Sequence, residues 1–225
     1  MATGSQLVGR ERELAALTEA LDRLAAGAAA FLALAGEPGI GKTRLLERLG
    51  AEAAGRGRLV LAGRATEFER GAPYGLWADA LDALDPGRVR RLAGPELAPV
   101  LPALAGAGPA PERYVVHRAV RALLERLAAT RPLVLCLDDV HWADPASIDL
   151  LAALARRPPQ APVLAAVAHR TGQAPDRLVA ALTEAGAERL ALAPLTRAEA
   201  AALLGGGTLL VPKTVHGRVT VAVAS

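Results

Sequence analysis

Aromatic side chains make up only 3% of this 225-residue chain, which holds one cysteine, one methionine and two lysines. Each scarcity excludes something. A lone cysteine, Cys136, forbids an internal disulfide, and its place in the apolar run Leu133 to Leu137 marks it as a buried, inert thiol. With so few rings, a chain that is 52% hydrophobic must build its core from Ala, Leu and Val. That composition suits helices closely packed on a parallel sheet. Net charge is +3 with no basic block, and the short cluster Arg88, Arg90 and Arg91 reads as a solvated helix face. Met1 to Val8 contains no apolar signal core, and no uninterrupted apolar run reaches membrane-spanning length. The expectation is a cytoplasmic protein with no membrane contact and no direct nucleic-acid binding.

Short apolar runs alternate with helical patterns along most of the chain. Leucines at 14, 17, 21 and 24 place one apolar face on a helix within Glu11 to Ala26. Strands are expected at Ala29 to Ala35, Arg58 to Gly63, Pro132 to Leu137, Ala161 to Ala168 and Glu188 to Ala193. Helices are expected at Lys42 to Ala54, Glu112 to Thr130, Pro145 to Ala155, Asp176 to Ala185 and Arg197 to Leu204. Asp144 and Pro145 are an N-cap and first-turn pair, and Thr196 with Glu199 forms a capping box. Five prolines within Ala65 to Gly108 exclude one continuous helix there and leave room for short ones such as Tyr74 to Leu84. The fold class is therefore α/β, a five-stranded, mainly parallel sheet with helices on both faces.

One stretch decides the chemistry. Gly36-Glu37-Pro38-Gly39-Ile40-Gly41-Lys42-Thr43, followed by Arg44, lies between the first strand and its helix, the order a phosphate-binding P-loop requires. From the chain's own composition the pattern arises by chance about once in a thousand such sequences. A lysine stands at the motif's one lysine position although nearly all the basic residues are arginine. There a compact ammonium reaches between phosphates where a planar guanidinium fits differently. Lys42 is expected to bridge the β- and γ-phosphates of ATP and Thr43 to ligate Mg²⁺. The second metal residue belongs at the end of a neighbouring strand, and Leu133 to Leu137 runs into Asp138-Asp139 about 95 residues on. Asp138 is the candidate Mg²⁺ residue and Asp139 the group that polarises the attacking water. Arg170 follows the fourth strand at the sheet edge where ligands bind, a position that suits either a sensor of the γ-phosphate or a solvated loop arginine. Val8, Gly9 and Arg10 precede the first helix as a turn that walls an adenine or simply enters the helix. His141 and Trp142 read equally well as packing residues.

These residues resemble the ATPase domain of STAND-class P-loop NTPases, as found at the N-terminus of large LuxR-family transcriptional regulators. Leu7 to Leu14 is similar to that family's Val-Gly-Arg opening, Gly36 to Thr43 to its Walker A, and Ala166 to Arg170 to its sensor 1 strand. The most specific match is Leu137-Asp138-Asp139-Val140-His141-Trp142-Ala143-Asp144-Pro145, an extended Walker B. The resemblance implies an AAA-type ATP switch, active or self-associating with ATP and closed with ADP, acting with a regulatory protein partner. It also implies that Val8, Gly9 and Arg10 lie by the adenine and Arg170 near the γ-phosphate. Residues 1–204 are read as this domain. Residues 205–225 match nothing of the family's helical lid, winged-helix or helix-turn-helix regions and are read as an unassigned, truncated or disordered tail.

The expectation is thus a regulatory, Mg²⁺-dependent ATP-binding domain whose hydrolysis is slow or absent. A P-loop small-molecule kinase is one alternative, marked by ADP formation that depends on an acceptor. An interaction module that no longer switches is the other, marked by indifference to Lys42→Ala.

Overall fold

The apolar runs become five strands, β1 (Ala30–Ala35), β2 (Leu59–Arg64), β3 (Leu133–Asp138), β4 (Val163–His169) and β5 (Glu188–Ala191), in the computed structural model of the chain. It describes residues 7–69, 71, 73–104 and 111–203. The tail expected at 205–225 lies outside them. Between and around the strands come α1 (Glu11–Leu24), α2 (Lys42–Gly55), α3 (Gly75–Asp82), α4 (Pro86–Leu92), α5 (Arg113–Ala128), α6 (Pro145–Arg156), α7 (Asp176–Glu184) and α8 (Arg197–Leu203).

All pairings are parallel, in the order β2-β3-β4-β1-β5. β3 is buried on both faces, which explains why it reads as an uninterrupted apolar run rather than an alternating one. Side-chain alternation divides the core in two. Leu61, Leu135, Leu137 and Val167 join a cluster with Trp77 and Leu81 of α3, Leu123 and Leu127 of α5, and Leu151 of α6. On the opposite face α2 lies so close to β2 and β3 that a Cβ at Gly50 would touch Val60 and Cys136. Thr18 of α1 donates to Glu52 of α2 at 3.2 Å. Helices therefore cover both faces. Cys136 is buried, and burial pushes its thiol up to about 12, as an inert core thiol requires.

The expected element boundaries moved by at most two residues, for local reasons. β4 begins at Val163 rather than Ala161 because Pro162 has no N–H to give the ladder. In the proline-rich stretch, Asp85 caps α4 by accepting from the Arg88 N–H at 2.6 Å, with Pro86 at the first helical position.

The chain divides into two compact units. The strands belong to the one spanning Glu13–Ala193. In the smaller one, described at residues 7–12 and 194–203, the expected capping box is present. Thr196 N–H donates to Glu199 Oε2 at 2.6 Å, and Glu199 N–H donates to Thr196 Oγ1 at 3.3 Å.

Candidate functional site

β1 delivers the chain to Gly36, and α2 starts six residues later from Gly41, whose φ of 105° is open to glycine and resisted by other residues. Among the described residues no side chain caps α2. Its first backbone N–H groups are thus left to an anion at the loop, where the helix dipole adds positive potential. Gly36 is needed for space, since a Cβ there would meet Ile40 Cγ2 at 2.8 Å. Lys42 is buried and donates from Nζ to the carbonyls of Gly36 and Glu37, both at 2.9 Å. Burial pushes its ammonium below the usual range, against the charges of Asp139 and Asp138, which raise it.

Thr43 follows on the same turn of α2, and its hydroxyl donates to Asp138 Oδ2 at 2.7 Å. The two residues stand 95 apart in sequence and meet because α2 packs on β3. Asp138 Oδ1 accepts the N–H of Asp139 at 2.9 Å. The chain then leaves the strand with Asp139 at φ 50°, a left-handed turn that aspartate tolerates better than most side chains. Among the described residues there is no group of three His, Cys, Asp or Glu able to cage a metal. One carboxylate beside one hydroxyl is the oxygen set that suits Mg²⁺, an ion that keeps waters and takes phosphate oxygens for its remaining positions. The residues present therefore fit the expected metal.

An open cleft of about 360 Å³ runs from the loop to the strand ends. Pro38, Gly39, Gly41, Lys42, Thr43 and Arg44 line the loop side, and Asp139 and Arg170 line the other. A residue that sequence reasoning missed completes that wall. Arg64, the last residue of β2, donates to Asp139 Oδ2 from Nε at 3.1 Å and from a terminal nitrogen at 2.8 Å. Asp139 in turn raises the Arg64 guanidinium above its usual range. Glu37 is exposed on the loop, whereas Ile40 is half-buried.

The His-Trp-Ala-Asp extension divides by task. His141 is buried in a 3-10 turn, Val140–Trp142, and burial together with the charge of Arg170 pushes its imidazole down to about 4. Trp142 lies under Arg170, whose guanidinium carbon is 5.3 Å from the ring centroid. Asp144 is structural. It caps α6 as expected, accepting from Ser147 N–H at 2.9 Å, and also accepts from Tyr74 N–H at 3.0 Å and Gly75 N–H at 3.2 Å. One buried carboxylate thus holds the first turns of both α6 and α3.

Val8, Gly9 and Arg10 fall in the smaller unit. There Gly9 has φ 69°, which favours glycine, and a Cβ on it would also meet Glu199 Cδ at 2.5 Å, so local geometry already accounts for the glycine. Arg10 is buried, and its charge helps to hold the Glu199 carboxyl low, behind the stronger effect of the Thr196 hydrogen bonds.

A lysine and a threonine opening a helix, with the threonine hydrogen-bonded to a strand-end aspartate across a parallel sheet, place the chain among the P-loop NTPases. Within them it belongs to the AAA ATPase domain family, which it matches over residues 6–167. It is 31% identical over 180 residues to the uncharacterized protein R02095 of Rhizobium meliloti (strain 1021), covering 68% of this chain and 17% of that protein. Similar solved folds include Cdc6p from Pyrobaculum aerophilum (TM-score 0.60, 17% identity, 89% of this chain and 49% of that one). The Orc1 protein of Aeropyrum pernix in complex with DNA is another (TM-score 0.55, 22% identity, 89% and 49%). Drosophila ORC bound to DNA is a third (TM-score 0.56, 17% identity, 88% and 46%). This chain spans about half the length of these solved relatives and a sixth of the curated one. At such identities the likeness is one of fold. Two of the three folds are seen with DNA, so the expectation of no direct nucleic-acid binding gains no support from them. No helix among the described residues is long and apolar enough to cross a membrane.

Proposed function

We propose that the chain binds Mg²⁺·ATP in this cleft and serves as a slowly hydrolysing switch in a larger regulatory protein, with ADP as the resting ligand. The observation that carries the reading is the Thr43–Asp138 hydrogen bond of 2.7 Å, which brings both candidate metal oxygens to the N-terminus of α2. Lys42, on the same turn, would move from the loop carbonyls to the phosphates, exchanging neutral acceptors for charged ones. Bound there, Mg²⁺ would neutralise charge developing on the phosphates. Asp139 would orient and polarise the attacking water. The STAND-like regulatory assignment, with self-association or a protein partner as output, rests on the resemblance of Leu137 to Pro145 to the extended Walker B.

Asp138→Asn tests the metal role. It is expected to weaken ATP binding by about 10-fold in Mg²⁺ and to change it little in EDTA, because only the metal-bridged contact is lost. An equal loss in both conditions, measured by calorimetry, would assign Asp138 a structural task instead.

Slow turnover has its own support in the Arg64–Asp139 pair, which occupies the carboxylate that would act on water. The Arg64 side chain is 59% exposed, and an exposed pair is worth at most about 1 kcal/mol. Arg64→Ala is therefore expected to raise steady-state phosphate release by up to about fivefold. Asp139→Asn should hold ATP as tightly as the wild type and release none. Turnover that survives Asp139→Asn would show that another group positions the water.

A further inference from the structure

Arg170 is held differently from the other arginine on its side of the cleft. Arg64 is neutralised by Asp139, whereas among the described residues no carboxylate lies within ion-pair distance of Arg170. Its partner is the face of Trp142. The backbone of Arg170 is fixed where β4 ends, since its carbonyl accepts from Gln173 N–H at 3.2 Å and lies 3.0 Å from His169 Nδ1. The turn that carries the ring is fixed too. The backbone N–H of Trp142 donates to the Asp139 carbonyl at 2.8 Å, and the indole packs against the His141 ring with centroids 5.1 Å apart. Asp139, His141 and Trp142 therefore share one short turn, with Asp139 lining the cleft and Arg170 over the ring of the turn's last residue.

We propose that Trp142 is a positioning residue that keeps Arg170 turned toward the γ-phosphate of bound ATP, so that the pair distinguishes ATP from ADP. A guanidinium held by a ring rather than by a carboxylate keeps its N–H donors available, and those donors match a phosphate oxygen pair. A carboxylate would consume them, as Asp139 consumes those of Arg64. Tryptophan supplies the strongest π face of the natural side chains and takes no proton from the cation. The positive charge is felt in the cleft, because Arg170 lowers the proton affinity of both Lys42 and His141. ADP lacks the group at which Arg170 is aimed, so the contact acts on ATP alone. The inference rests on the nucleotide-binding reading above and adds to it the reason for the tryptophan that follows the paired aspartates.

The test compares Mg²⁺·ATP and Mg²⁺·ADP affinities by calorimetry for the wild type, Trp142→Leu and Trp142→Phe, each also in an Arg170→Ala background. Trp142→Leu is expected to cut the ATP-over-ADP affinity ratio by roughly 3–5-fold, and Trp142→Phe to keep most of it. In the Arg170→Ala background Trp142→Leu should add nothing, because the ring acts only through the arginine. A ratio that Trp142→Leu leaves unchanged, or the same loss with Arg170 already gone, overturns the proposal. A second measurement guards against a Leu variant that folds poorly. Trp77 is the only other tryptophan, fully buried with its Nε1–H on the Ser147 carbonyl at 3.1 Å. In Trp77→Phe the remaining indole emission should change on adding Mg²⁺·ATP and stay constant with Mg²⁺·ADP. An equal response to both nucleotides contradicts it. A wild type that binds neither nucleotide would sink the reading beneath, whereas tight binding without the ratio effect would sink this inference alone.

Discussion

Lys42→Ala weakens Mg²⁺·ATP binding by at least about 100-fold in this account, yet leaves the unfolding temperature of the ligand-free chain within a few degrees of wild type. The two halves have separate causes. Without ligand, the hydrogen bonds of Nζ among the described residues go to the carbonyls of Gly36 and Glu37, and they are made from a buried position that costs the ammonium its hydration. Removing the side chain gives up two bonds to neutral acceptors and relieves that desolvation, so the net change is small. With ATP present the same ammonium meets charged oxygens, where each bond is worth about 1.5–3 kcal/mol. A hundredfold loss corresponds to about 2.7 kcal/mol, within reach of one such contact. Calorimetry for affinity and thermal unfolding for stability check the two halves separately. Affinity that survives the substitution would remove the P-loop assignment, and a large drop in melting temperature would make Lys42 structural.

Asp144→Ala should do the reverse, costing stability first. The carboxylate is buried and accepts from three backbone N–H groups, those of Ser147, Tyr74 and Gly75. Cap removal alone typically costs about 0.5–2 kcal/mol, and orphaning buried donors on a second helix adds to it. Tyr74 makes the loss worse, because it sits at φ 62°, a conformation that a non-glycine residue keeps only when its surroundings hold it. A total of about 3 kcal/mol would lower the melting temperature by roughly 6–12 °C in a domain of this size. Asp144→Asn, which keeps an acceptor for one or two of the donors, should fall between. A melting point within two degrees of wild type for Asp144→Ala would show that water replaces the carboxylate, and that α3 does not depend on it.

What could be read from the sequence was what is local. Leu14, Leu17, Leu21 and Leu24 mark one face of α1 by spacing alone, and the loop from Gly36 to Thr43 carries its own geometry in its glycines. Asp138 was legible because an apolar run ends at it, and the capping box at Thr196 and Glu199 because three residues separate its members. Arg64 was not. Its partnership with Asp139 depends on β2 pairing beside β3 in a register that sets Arg64 opposite Asp138, and no pattern near residue 64 announces that. The one available signal was its place at the carboxyl end of an expected strand, where open α/β sheets gather their functional groups. Asp144 was seen as the cap of α6, but its hold on Tyr74 spans 70 residues and needs α3 packed against α6. The contact of Arg170 with the Trp142 ring is hidden for the same reason, since each residue alone reads as ordinary. Gly9 shows the opposite case. A resemblance placed it by an adenine, while within its own unit a φ of 69° beside the Glu199 side chain already favours a glycine.

If α2 and β3 together seat a magnesium–nucleotide complex, titration of Mg²⁺·ATP into the wild-type chain will show it. Saturable binding is expected at one site per chain, weakening by about an order of magnitude when EDTA removes the metal, because the Thr43 and Asp138 oxygens then have nothing to bridge to the phosphates. No saturable binding, or an affinity identical with and without Mg²⁺, would contradict it.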